Sequence, residues 1–182
     1  MALACRAGAM RAKGTMAQRN SFDRARRRGR KPILMPLPDH DFDPTEAAIP
    51  WSTCMSGGWN IAISTESGSV PVADLRRLEG PLPGLLTASK SARTAYKHMT
   101  QDPAFQHPIP YERIDVSEYE ALLLPGGDAP GVRQYLDSTP LRTKVLQFWV
   151  QHKPIGAICQ AFSCWPERSI HKPDGASYTE AR

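Results

Sequence analysis

The run Tyr119–Leu124 (YEALLL) passes without a break into Pro125-Gly126-Gly127-Asp128-Ala129-Pro130-Gly131. A short apolar run that stops at Pro and Gly reads as a buried strand feeding a tight turn. The same pattern recurs along the chain. Lys31–Pro38 (KPILMPLP) reads as a first strand with prolines at its edges, Trp59–Ser64 (WNIAIS) as a second, and Lys153–Ile158 (KPIGAI) as a fourth that ends at Cys159. Helical stretches lie between them. Asp43 caps the first, Pro44 suits its first turn and Glu46 falls in that turn. Its apolar stripe of Ala47, Ala48, Trp51 and Met55 runs to a stop at Gly57-Gly58. Ala88–Met99, Val132–Leu136 and Leu141–His152 are further helices, the last with Leu141, Val145, Phe148 and Trp149 on one face. Gly68–Leu86 reads as a Pro/Gly-rich loop with one helical turn near Asp74–Leu78. Strands alternating with helices specify an α/β fold with a parallel sheet covered on both faces.

Charge divides the chain. Residues 1–31 hold ten Lys/Arg and one acid, Asp23, and so carry +9; the other residues hold 13 bases and 17 acids and carry −4. The basic character therefore belongs to a leader over residues 1–30, and the domain behind it is mildly acidic. The leader reads as a solvated, disordered segment. A transit peptide and a charge-only contact with nucleic acid are the competing readings, and Met16 offers a second start. The expected compartment is the cytoplasm, or an organelle if the leader is a transit peptide. No apolar run is long enough to span a bilayer. Cys5, Cys54, Cys159 and Cys164 form no CxxC pair, and the histidines at 40, 98, 107 and 152 have no metal-ligand spacing, so reduced thiols and no metal or cofactor are expected.

Ligands of parallel α/β sheets bind beyond the carboxyl ends of the strands. Three features fall there: the acidic loop after the first strand, the Gly-Gly turn and Cys159. A cysteine at a strand-to-helix turn points outward near a helix N-terminus, where the dipole favours thiolate. The N–H groups of Gly126 and Gly127 are positioned to hold an oxyanion, Glu46 to exchange a proton with the thiol, and Asp128 to supply a further polar group. Each has a plainer reading, respectively a buried inert thiol, a tight loop and a helix-dipole partner.

Asp41-Phe-Asp-Pro-Thr-Glu46, Leu124-Pro-Gly-Gly-Asp-Ala-Pro-Gly131 and Gly156-Ala-Ile-Cys159 resemble, in order and spacing, three signature segments of the ThiJ/PfpI family of the class I glutamine amidotransferase-like superfamily. The resemblance runs from about residue 31 to 159. It implies a flavodoxin-like three-layer sandwich, often dimeric, with Cys159 as nucleophile at its elbow, Glu46 as acidic partner and Gly127 as oxyanion donor. Relatives of this kind include peptidase-like proteins, stress chaperones and glyoxalases or deglycases acting on small carbonyl or acyl compounds. Two positions depart from the pattern: Asp128 stands where those relatives carry histidine, and Cys159-Gln160-Ala161 replaces Cys-His-Gly.

Residues 160–182 make a poor helix and contain no further strand. A one-base deletion in the histidine codon of TGC CAC GGC GTT CTC GTG CTG GCC turns Cys-His-Gly-Val-Leu-Val-Leu-Ala into Cys-Gln-Ala-Phe-Ser-Cys-Trp-Pro, which is Cys159 to Pro166. The tail is therefore expected to be out-of-frame translation, whether by deletion, splice difference or gene-prediction error. The domain of residues 31–159 would then be C-terminally truncated, with an uncovered face. Three functional classes stay open: a cysteine-dependent enzyme on small carbonyl or acyl compounds, a non-catalytic stress chaperone or redox sensor, and an inactive truncated product.

Overall fold

The computed structural model describes residues 30–79 and 87–164. The basic leader up to residue 29, with Cys5, lies outside the described residues, as do 80–86 of the expected loop and 165–182 of the expected out-of-frame tail.

Strand β1 (Ile33–Pro36) is central. It pairs in parallel with β3 (Ile61–Thr65), Ile33 opposite Ile61, and on its other side with β6 (Ala121–Leu124), Ile33 opposite Ala121. Strand β7 (Ile155–Ala157) adds in parallel to β6, and the two-residue β5 (Ile109–Pro110) adds to the outer edge of β3. The order is β5-β3-β1-β6-β7. Without the short β5 it is the flavodoxin-like order, with the chain leaving β1 in one direction and crossing to β6 on the other side.

Alternation along each strand sends side chains to opposite faces. Leu34, Leu122 and Leu124 join one apolar cluster, with Tyr111, Tyr119, Tyr135, Leu141, Val145 and Phe148. Met35, Ile61 and Ile63 join the other, with Phe42, Ala47, Ala48, Trp51, Ala95, Met99 and Phe105. Two cores on two faces make the three-layer α/β arrangement. One is covered by α1 (Pro44–Ser56), α3 (Lys90–Met99) and α4 (Pro103–Gln106), the other by α5 (Val132–Asp137) and α6 (Thr139–Val150).

The caps agree with local chemistry. The Asp43 carboxylate accepts from the N–H groups of Thr45 (2.7 Å) and Glu46 (3.2 Å), opening α1 at Pro44. Ser89 caps α3 and Ser138 caps α6. The buried positions of α6 are Leu141, Val145 and Phe148, while Trp149 lies at the margin, half-buried. The expected strands and helices are all present, with ends displaced by up to two residues; β3 runs on to Thr65, α5 to Asp137, and α6 starts at Thr139.

Some elements were not expected. Within the segment read as loop, β4 (Val72–Ala73) precedes the expected helical turn, which is α2 (Leu75–Glu79). Strand β4 pairs with β2 (His40–Phe42) in a separate two-stranded parallel sheet. Strand β5, helix α4 and 3-10 turns at Tyr111–Arg113 and Val116–Glu118 were also unanticipated. All are too short to show a repeating hydrophobic pattern, and contacts distant in sequence specify them. The Tyr111 hydroxyl donates to the Leu37 carbonyl beyond β1. Lys153 Nζ donates to the carbonyls of Val116 and Tyr119, the latter at 2.7 Å.

Candidate functional site

The loops leaving β1, β6 and β7 emerge side by side because these strands are neighbours in the sheet. Glu46 reaches the site from the first turn of α1. Its Oε2 accepts a hydrogen bond from the Gly126 N–H at 3.0 Å. The Cys159 thiol lies beside the same carboxyl and favours its ionised form. Cys159 lies two residues past the end of β7, is exposed, and holds a left-handed backbone at φ 53°. That conformation is unfavourable for any residue with a Cβ. Gly126 is packed where no side chain fits: a Cβ there would lie 2.5 Å from the Ile158 carbonyl oxygen and 2.7 Å from Glu46 Oε2. Gly127 has φ 142°, and a Cβ on it would meet Val132 at 3.0 Å.

The structure thus brings Glu46, Gly126, Gly127 and Cys159 together. Two expectations are corrected. The Gly126 N–H, expected to help hold an oxyanion, donates instead to the Glu46 carboxyl. The residues that follow the cysteine form a 3-10 helix, Cys159–Cys164, in place of the α-helix whose dipole was expected to favour thiolate. So short a turn aligns few peptide dipoles.

Asp128 stands at the mouth of the site and is mostly exposed. Its Oδ1 accepts from an Arg77 terminal nitrogen at 2.8 Å, and this hydrogen bond holds its carboxyl below the ordinary range. Arg77 Nε lies 3.6 Å from Asp43 Oδ2. Asp74, Arg76, Arg77 and Asp128 line a cavity of about 150 Å³. Arg77 was missed in the sequence. Asp74 carried the available signal, since its Oδ1 accepts from the Arg76 N–H at 3.0 Å and so starts α2, setting the direction of the next residue. Further out, Gly131 N–H donates to Asp41 Oδ2 at 3.2 Å, with Asp41 in a left-handed conformation at φ 66°.

Burial raises the Glu46 pKa above its ordinary 4.5, and the neighbouring Asp43 adds to the rise. The Cys159 thiol, the hydrogen bond from Gly126 and the charge of Arg77 oppose it. A carboxyl so placed holds a proton further into the pH range than an exposed one. His40, His98, His107 and His152 are exposed, and no group of three or more metal-ligating side chains occurs among the described residues. None of the described helices is long and apolar enough to cross a membrane.

A parallel α/β sandwich with a cysteine at the carboxyl end of a strand, backed by a half-buried glutamate, is the class of protein that fold and site define. The chain belongs to the ThiJ/PfpI-like family, whose model matches residues 37–166. An uncharacterized protein of Schizosaccharomyces pombe is 25% identical over 114 residues, covering 62% of this chain and 43% of the yeast protein. Rapid Encystment Protein 24 KDa of Francisella tularensis superposes with a TM-score of 0.56 at 18% identity, over 74% of this chain and 60% of that one. A ThiJ/PfpI domain protein from Brachyspira murdochii gives a TM-score of 0.54 at 15% identity, over 75% and 63%. These structural likenesses show the fold. The chain spans less than two thirds of the length of each of these relatives.

Proposed function

We propose that this chain is a cysteine-dependent enzyme in which Cys159 attacks the carbonyl carbon of a small carbonyl or acyl compound. The observation that carries the reading is the left-handed Cys159 just past β7, beside a Glu46 carboxyl that Gly126 holds in place. In the addition step the thiol proton passes to the Glu46 carboxylate while sulfur forms a bond to the carbonyl carbon. The C=O π pair moves onto oxygen, which Glu46 then protonates, giving a thiohemiacetal. The Gly127 N–H is the donor offered to the developing oxyanion. A second copy of the chain and a small-molecule substrate are the partners this reading expects.

Methylglyoxal is the probe. Turnover by the wild type that is abolished in Cys159→Ala and lowered in Glu46→Gln supports the proposal; turnover unchanged in Cys159→Ala overturns it.

A non-catalytic reading is favoured by one observation. No imidazole stands at position 128 or 160, where Asp128 and Gln160 are found. Stress-chaperone or redox-sensor action through the same exposed thiol would show as oxidation of Cys159 to sulfinic acid, or as suppression of aggregation, without turnover.

A further inference from the structure

We propose that Arg77 is a positioning residue for the Glu46–Cys159 pair, fixing the charge that Glu46 experiences and tying the Gly126–Asp128 turn to the start of α1; this rests on the reading of Cys159 and Glu46 given above. Four short contacts, joined by backbone, make a closed circuit. Glu46 Oε2 accepts from Gly126 N–H at 3.0 Å. Two residues on, Asp128 accepts from Arg77 at 2.8 Å. Arg77 Nε faces Asp43 Oδ2 at 3.6 Å, and Asp43 Oδ1 caps the Glu46 N–H at 3.2 Å. The α1 backbone closes the ring.

Arg77 is itself held for this role. Its N–H donates to the Asp74 carbonyl at 3.0 Å and its carbonyl accepts from Ala88 N–H at 2.7 Å. The adjacent Arg76 satisfies both Asp74 oxygens, at 3.0 and 2.9 Å, and its side chain is 70% exposed. The Arg77 side chain is only 28% exposed and turns toward Asp43 and Asp128. Of two consecutive arginines, one serves a cap and the other serves the site.

The charged and titratable groups facing Glu46 are Asp43 at its own helix cap, Arg77 on α2 and the Cys159 thiol after β7. Arg77 is the cation among them, and it also neutralises Asp43. Removing it leaves Glu46 beside an uncompensated carboxylate. Removing Asp128 instead leaves the guanidinium free to favour Asp43, the opposite electrostatic change.

The test uses the full chain and follows iodoacetamide alkylation of the Cys159-containing peptide by mass spectrometry as a function of pH. Glu46→Gln identifies the limb of the profile that belongs to Glu46. Arg77→Gln is expected to move that limb to higher pH, by on the order of half a unit. Arg77→Lys keeps the charge and leaves the limb in place, and Asp128→Asn moves it to lower pH. Should Arg77→Gln fail to fold, Asp128→Asn and Arg77→Lys carry the comparison. A purely structural role predicts no opposed shifts, so shifts of one sign in Arg77→Gln and Asp128→Asn, or none, overturn the inference while the Glu46 limb stands. A limb that persists in Glu46→Gln refutes the coupling of carboxyl and thiol itself, and this inference falls with it.

Discussion

The Gly126 N–H and Glu46 Oε2, 80 residues apart in sequence, meet at 3.0 Å and so fasten the turn after β6 to the helix after β2. The contact depends on glycine. A methyl at position 126 would sit 2.5 Å from the Ile158 oxygen, which is backbone, and 3.0 Å from the Cys159 Cβ. Gly126→Ala must therefore displace the cysteine turn or the carboxyl. Overpacking of this kind costs about 1–3 kcal/mol. Urea unfolding should show the loss, and a midpoint equal to the wild type would contradict the packing described.

Stability should depend on pH through Glu46. Its folded-state pKa is raised by burial and by Asp43. The folded protein then binds this proton more tightly than the unfolded chain does. The associated stability is fully present below the ordinary value of 4.5 and is lost as pH rises through the raised folded value. Relative to Glu46→Gln, which cannot ionise, the wild type should lose stability as pH increases across that window. Parallel pH profiles of unfolding for the two proteins would show that Glu46 titrates normally.

Position 159 should reverse the usual ranking of small residues. At φ 53° any Cβ is strained, at roughly 1–2 kcal/mol for the left-handed region. Glycine escapes that strain but gains freedom in the unfolded chain, which offsets about 0.4–1 kcal/mol. Cys159→Gly is expected to be at least as stable as Cys159→Ala in denaturant melts. A clearly less stable glycine variant would argue against the left-handed elbow.

Tyr111→Phe tests the tether across one core. The Tyr111 hydroxyl is fully buried and donates to the Leu37 carbonyl at the exit of β1. Deleting it strands a buried acceptor, at a cost of about 1–3 kcal/mol. Because Leu37 leads into the loop that carries Asp41 and Asp43, chemical denaturation and alkylation of Cys159 should both respond. An unchanged unfolding midpoint would remove the tether from the account.

The sequence alone determined the parts of this protein that local chemistry governs. Hydrophobic runs bounded by Pro and Gly located β1, β3, β6 and β7, and Asp43-Pro44 located the start of α1. Strand-helix alternation required a parallel sheet, and with it the rule that Glu46, Gly126, Gly127 and Cys159 converge at the strands' carboxyl ends. Tertiary structure decided what has no local signature. The pairing of His40–Phe42 with Val72–Ala73, and the two-residue β5, exist because a partner strand supplies their hydrogen bonds. The choice of Gly126 to bind Glu46 depends on how the loops after β1, β6 and β7 meet. Arg77 was decided there too: Asp74 marks the start of α2, but Arg76 and Arg77 are chemically alike in the sequence, and only the direction of a five-residue helix turns one outward and the other onto Asp43 and Asp128.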